Sequence, residues 1–309
     1  METIFNFATI TGILASTVRL ATPYLYAALG ETIAQRSGVL NLGVDGIMLM
    51  GAFTAFYVVF TTGNLWAGVG AAMFVGLLMG LLMAFISVTL RAEQGISGIG
   101  LYLFGLGMSS LLFKVLLGTV ESVNGFPRLA IPLLSEIPVL GTIFFNHSVL
   151  VYFAFALVPL VAWVFNQTTW GLAVRAVGNN PQAADSLGVN VILTRYITVC
   201  IGAVLAAVGG ASLSISAQNI FQENMTSGLG FIAVALVYFG GWRPYGVLLG
   251  VLLFSFVSAL QIWLQVLGIP IKTELAIMLP YILTIVVLAI PLRRASDPTA
   301  LTYPFTRGT

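Results

Sequence analysis

Charge is what this sequence has least of. Only 7% of its 309 residues are Asp, Glu, Lys or Arg, against about 25% in a soluble domain. A net charge of +2 is too small to suggest a nucleic-acid partner. Cys200 is the single cysteine. It lies inside an apolar run, so a disulfide framework within the chain is excluded and a small buried hydrophobe is expected. The one histidine, His147, stands alone; no metal cluster can be assembled around it, and it reads as an interfacial residue at a span end. No GxxxxGK[ST] phosphate loop, HExxH or GxSxG occurs, so the chain carries no recognisable machinery for hydrolysing ATP or a substrate. The start, "METIFNFATITGILAS", has no basic region before its apolar run, and no cleavable signal peptide is expected.

What is abundant is hydrocarbon. Hydrophobic residues make up 59% of the chain and the mean hydropathy is +1.04, which places it in a bilayer. No long polar segment could fold separately, so residues 1–309 read as one transmembrane domain. About nine stretches are long enough to span: 8–30, 39–60, 65–90, 96–118, 147–166, 191–216, 227–242, 245–267 and 273–292. Splitting 4–35 into two would give ten. The expected class is therefore an all-α polytopic membrane protein. "ETIAQRSGVLNLG" (31–43) reads as a break between spans, and 227–242 is short and opens on "SGLG". Unwound backbone at membrane depth survives only against protein or a water-filled cavity. "RSGVLNLGVDGIMLMGAF" and "TSGLGFIAVALVYFGGW" resemble one another, which suggests an inverted internal repeat. The long loop 119–146 is expected at the outer surface.

Arginine and lysine set the orientation. With the polar segment near residue 180 inside, Arg36, Arg91, Arg175, Arg195, Arg243, Arg293, Arg294 and Arg307 fall at the inner edge. Arg19, Lys114, Arg128 and Lys272 fall outside. That puts the N-terminus outside and the C-terminus in the cytoplasm.

The stretch "GNNPQAADSLGVN" (178–190) is a polar island in this oily chain. Asn180 suits an N-cap, Pro181 the first helical position, and Gly188 the left-handed turn that ends a helix. Ala183, Ala184 and Leu187 share a face, while Gln182, Asp185 and Ser186 point elsewhere. Two turns are not stable alone in water; the helix either lies on its own protein or is a docking knob for a partner. As a knob, its apolar face would enter the partner, and a charge at Ala184 would abolish the association.

Three long stretches carry a resemblance: "ATPYLYAALGETIAQRSGVLNLGVDGIMLMGA" (21–52), "AVRAVGNNPQAADSLGVNV" (173–191) and "SGLGFIAVALVYFGGWRPYGVLLGVLLFSFVSALQ" (227–261). Together they resemble the membrane subunit of ATP-binding-cassette importers for simple sugars, branched-chain amino acids and nucleosides. "GVLNLGVDG" and "LQVLGIPI…MLPYILTIVVLA" look most like the purine-nucleoside branch. Some sugar-branch members carry an additional N-terminal span, which this chain is read without. The resemblance implies an importer subunit of the bacterial cytoplasmic membrane, not an enzyme. ATP and Mg would be used by a separate ATPase chain. The other implied partners are a second permease, a homologue in preference to an identical copy, and an extracytoplasmic solute-binding protein or lipoprotein. It also implies that the island, Asn179, Asn180, Pro181, Ala183, Ala184, Asp185, Leu187 and Gly188, is a cytoplasmic coupling helix that docks on the ATPase.

Other polar and aromatic residues are open to two readings. Glu31, Asn41 and Asp45 either line the solute pathway or cap helix ends at the cytoplasmic edge. Tyr102, Phe104 and Phe221 could stack on a nucleobase, or could simply pack. Asn219, Gln222, Glu223 and Asn224 form an outer polar loop that either meets a solute-binding protein or is solvated. Trp242, Arg243 and Tyr245 read as an interfacial anchor. The solute is expected to be a nucleoside, with a ribose-type sugar as the alternative. An ion-coupled secondary transporter would leave the capped helix unexplained.

Overall fold

The computed structural model describes residues 7–132, 135, 137, 139–267, 278–282, 285, 286 and 297–307. The helices are α1 Phe7–Arg36, α2 Val44–Thr62, α3 Leu65–Ala84, α4 Gln94–Leu116, α5 Leu140–Phe144, α6 Val149–Gln167, α7 Thr169–Asn179, α8 Pro181–Ser186, α9 Val191–Ser212, α10 Leu229–Phe239 and α11 Pro244–Val266. Two strands, β1 Arg128–Ala130 and β2 Asn146–Ser148, complete the set. Side-chain acceptors start the helices. Asn64 accepts from the Trp66 and Ala67 amides ahead of α3, Thr168 from Gly171 ahead of α7, and Asn190 from Leu193 ahead of α9. Each satisfies amides that the first helical turn leaves without a partner. The last turns of α3 and α9 loosen into π-helix at Phe85–Thr89 and Leu213–Ala217.

Among the described residues six helices are long and apolar enough to cross a membrane: α2, α3, α4, α6, α9 and α11. α1 is a single helix of 30 residues with Pro23 inside it; it is not divided into two, and it runs six residues past the expected end of the first span. α10 has only 11 residues, so about a third of the expected span 227–242 lies outside the helix. Most of 273–292, with Lys272, Arg293 and Arg294, lies outside the described residues. The all-α expectation holds except for β1 and β2, which pair antiparallel with Arg128 opposite Ser148 and Leu129 opposite His147. They give the backbone of the 119–146 loop its partners.

α9 runs through the centre, packed on α1, α2 and α3. Lipid tails are as apolar as leucine, so helix association in a membrane depends on close backbone approach at small residues. Gly30 of α1 and Gly202 of α9 face each other so closely that a Cβ on Gly30 would lie 2.6 Å from the Gly202 carbonyl oxygen. On the other flank, α4 packs on α2 through Gly98, Leu101 and Gly105, spaced by three and four residues. A Cβ on Gly105 would lie 2.4 Å from the Gly46 carbonyl oxygen.

These contacts predict a sharp contrast within α4. Gly105→Val should force α4 away from α2 and destabilise the fold by about 1–3 kcal/mol or more, read as a lower midpoint in thermal unfolding of the purified protein. Gly107→Ala, which meets nothing within 4 Å, should leave that midpoint unchanged or raise it.

Candidate functional site

The loop from Ser37 to Gly43 is unwound yet largely buried. Its backbone therefore needs partners that water cannot supply, and three helices and the loop itself provide them. Arg195 of α9 donates from Nε to the Ser37 carbonyl at 3.1 Å. The Leu40 amide donates to Gln94 Oε1 at 2.8 Å, and the Asn41 amide to Glu31 Oε2 at 3.4 Å. Asn41 turns its own Oδ1 back to accept from the Gly43 amide at 2.8 Å. Glu31 is thus buried beside the loop, where it also accepts from Gln35 Nε2 at 3.0 Å. Gln35 in turn accepts from the indole N–H of Trp242 at 2.8 Å. Trp242 is buried, which corrects its reading as an interfacial anchor: its ring is held inside by α1, while Arg243 and Tyr245 remain exposed.

Asp45, in the first turn of α2, reaches across to the start of α10. Its Oδ1 accepts from the Gly230 amide at 2.8 Å and its Oδ2 from the Thr226 hydroxyl at 3.0 Å. The backbones touch here, since a Cβ on Gly230 would lie 2.4 Å from the Asp45 nitrogen. Two helix N-termini, each with a positive dipole end, therefore meet at one carboxylate. α10 is about 16 Å long at 1.5 Å per residue, so this junction lies well in from the turn at 240–243. Asp45 thus bonds the start of α10, at the far end of that helix from the turn at 240–243.

Tyr102 stands beside the junction. Its backbone lies against Gly46, and its ring meets Phe231 of α10 edge-on with centroids 5.1 Å apart. Phe231 was not singled out in the sequence; its place one residue after the capped Gly230 is the signal that could have found it. Phe104 is exposed, two positions along α4 and so on another face. Phe221 is fully buried among Phe53, Phe56 and Phe113. Its ring is occupied by packing and open to no solute, which corrects the stacking reading.

At the opposite end, Gln222, Glu223 and Asn224 are exposed, and Glu223 pairs with Lys114 at 3.4 Å. Asn219 is instead half-buried, and its carbonyl accepts from the Val123 amide at 3.0 Å. It lines a cavity of about 560 Å³ with Arg19, Arg128, His147 and Ser148. His147 is buried, and its Nε2 lies 2.7 Å from the Ile143 carbonyl. Burial lowers its pKa from the ordinary histidine value; the Ile143 bond opposes this, and Arg19 and Arg128 add to it.

The polar island forms α8. Asn180 Oδ1 accepts from the Ala183 amide at 3.0 Å, Pro181 opens the helix, and Gly188 has φ of +88°. Asn179 is exposed, and its carbonyl accepts from the Thr299 hydroxyl. Ala184 does not face outward. It is buried against Val177, Val191 and Phe305, so it holds α8 to its own protein. Ala183 and Ser186 are exposed, Leu187 is 86% exposed, and Asp185 pairs with Arg307 at 3.1 Å. Of the three residues expected to share the apolar face, only Leu187 and Ala183 are therefore bare, and a charge at Ala184 would disturb this chain's own packing.

The sequence pattern of the family described as "Branched-chain amino acid transport system / permease component" matches residues 13–288. A putative glucose ABC transporter permease protein of Haloferax volcanii is 41% identical over 84% of this chain and 79% of its own length. The guanosine ABC transporter permease protein NupQ of Bacillus subtilis is 34% identical over 96% of this chain and 97% of its own. The nucleoside ABC transporter permease protein NupC of Lactococcus lactis is 36% identical over 93% and 94%. No solved structure matches.

Two expectations follow from the geometry. Asp45→Ala would leave the Gly230 amide and Thr226 hydroxyl buried without an acceptor, at about 1–3 kcal/mol each; Asp45→Asn keeps one acceptor oxygen. Thermal unfolding should rank native above Asp45→Asn above Asp45→Ala. For His147, a depressed pKa means the unfolded chain binds the proton more readily. The resulting stability is complete above the ordinary histidine range and is lost as pH falls through it. The His147→Gln protein should show a flatter decline in unfolding midpoint between pH 7 and pH 5 than the native one.

Proposed function

Because this chain belongs to the branched-chain amino acid transport system / permease component family, we propose that it is the transmembrane subunit of an ATP-driven importer of nucleosides. It is a multi-pass membrane protein and a transport component, not an enzyme, and the family works with an ATPase and a substrate-binding partner. The nucleoside assignment rests on one observation: similarity to a guanosine and a nucleoside permease runs over more than nine-tenths of the chain. The Tyr102–Phe231 pair beside Asp45 fits it, because aromatic edges and faces accept a planar base. A simple sugar is the second reading, favoured by the 41% identity with the putative glucose permease.

The whole chain acts as one domain of nine spans: the six apolar helices, α1, the half-length α10, and a last span at 273–292. α8 is the coupling helix, with Leu187 and Ala183 entering the ATPase and Asn180, Pro181 and Gly188 fixing its ends. Arg36, Arg175, Arg195, Arg243 and Arg307 gather at the end that holds α8 and the tail, and the positive-inside bias supports a cytoplasmic C-terminus there. The N-terminus is then outside the bacterial cytoplasmic membrane. Glu31, Asn41, Asp45 and Tyr102 border the pathway. The exposed Gln222, Glu223 and Asn224, with Asn219 behind them, receive the solute-binding protein or lipoprotein. Two such permeases complete the pathway, the second a homologue, as the resemblance to the purine-nucleoside branch supports. ATP and Mg belong to the partner chain.

Uptake by vesicles holding the complete complex tests the solute. ATP-dependent entry of labelled guanosine should be competed by adenosine and uridine but not by leucine. Entry of labelled glucose or ribose with no entry of any of the three nucleosides would reject the assignment. Leu187→Glu should leave membrane insertion intact while the ATPase no longer co-purifies. A Leu187→Glu chain that keeps its ATPase and native uptake would remove α8 from the coupling role.

A further inference from the structure

α8 has six residues and cannot hold its place alone. Besides its contacts with α7 and α9, it is fixed by the C-terminal segment, residues 297–307. This strap crosses from α8 to the unwound loop after α1 and is bonded at both ends. At the α8 end, Phe305 packs on Ala184, Val177 and Val191, Arg307 Nε donates to Asp185 Oδ2 at 3.1 Å, and the Thr299 hydroxyl donates to the Asn179 carbonyl. The Ala300 amide donates to the Gly178 carbonyl at 2.9 Å. At the loop end, the Thr302 amide donates to the Gly38 carbonyl at 3.1 Å.

Arg195 ties the two ends together from beneath. It is buried to 1% exposure, and its Nε and Nη1 donate to the Ser37 carbonyl at 3.1 Å and the Tyr303 carbonyl at 3.0 Å. Hydrogen bonds from an ionised donor are roughly twice as strong as neutral ones. Gly38, at φ of +91°, leaves room for this contact: a Cβ there would lie 2.9 Å from both Arg195 Nη2 and the Ala300 carbonyl. The loop so held runs on to Asn41, whose amide bonds Glu31, and to Asp45 at the junction with α10.

We propose that Arg195 and the strap 297–307 are positioning residues of the coupling step: they make α8 and the loop 37–43 move as one body, so that displacement of α8 reaches Glu31, Asn41 and Asp45. The proposal rests on the coupling role of α8. Without the strap, α8 can still present Leu187 to the ATPase, but its movement is taken up by a loosened Ala184 contact before it reaches the loop. Docking and hydrolysis then survive while transport does not.

The test compares three chains in the complete complex: native, Phe305→Ala, which removes the side chain packed on Ala184, and a chain ending at Pro298. Three quantities are read: ATPase co-purification, ATP hydrolysis, and uptake of whichever of labelled guanosine or glucose the native complex imports. Both altered chains should keep the ATPase and hydrolyse ATP within about twofold of native, while uptake per ATP falls at least tenfold. Unchanged uptake per ATP in Phe305→Ala would overturn the proposal. So would loss of the ATPase from that variant, because the strap would then serve docking alone. Should the shortened chain fail to insert, Phe305→Ala decides by the same criteria. The Leu187→Glu result stands apart: it removes or keeps the role of α8 itself, whatever the strap variants do.

Discussion

Backbone that leaves the helix inside this bundle must find partners in protein, and that constraint organises the molecule. Two segments are unwound, 37–43 and the stretch leading to Gly228. An unpaired buried amide or carbonyl costs about as much as a lost hydrogen bond, and a protein's margin of stability is only about 5–15 kcal/mol. The polar side chains of an otherwise oily chain are concentrated where this cost would fall. Glu31, Asn41, Gln94 and Arg195 serve the first break, and Asp45 with Thr226 serves the second.

Asp45 serves the second break from the end of the first. This makes the two breaks a single structure, in which the N-termini of α2 and α10 share one carboxylate. The two stretches of the faint repeat in the sequence each contain one of these helix starts, and the structure brings the starts into contact. Both dipole ends are aimed at the Asp45 carboxylate, and Tyr102 and Phe231 border this rigid junction. Its rigidity comes from close packing: Gly46 against Gly105 on one side and Gly30 against Gly202 on the other leave the helices no room to slide.

Local chemistry was legible in the sequence, and long-range partnership was not. The caps and ends of α8 follow from Asn180, Pro181 and Gly188 because capping involves residues two or three apart. Most span limits fell within a few residues for a similar reason, since length and hydropathy are properties of a segment. Which face of α8 is free depends on Phe305, far along the chain, and periodicity around one helix gives no sign of it. Ala184 and Leu187 look alike on a helical wheel, yet one is covered and the other bare. Phe221 misled in the same way: an aromatic beside a polar loop has the same spelling whether it faces a pathway or three other rings. The shortness of α10 was visible as "SGLG", but its cap, Asp45, is 185 residues away.

The strap explains why a chain built for a bilayer keeps its last polar residues in order. In the proposed coupling role, a two-turn helix needs stiffness behind it. Apolar contact of α8 with Val177 and Val191 is non-directional. Hydrogen bonds from Arg195 and Thr302 are directional, and they converge on the loop that leads to Asp45, while the Ala300 amide ties the strap to Gly178 of α7. Force applied at Leu187 therefore has a bonded route into the bundle, through Ala184 and Phe305 to Tyr303, Arg195 and Ser37. The exposed Asp185–Arg307 pair adds little by itself, because surface ion pairs contribute about 0–1 kcal/mol. The buried members carry the connection, and Arg195 is the one that touches both the strap and the loop.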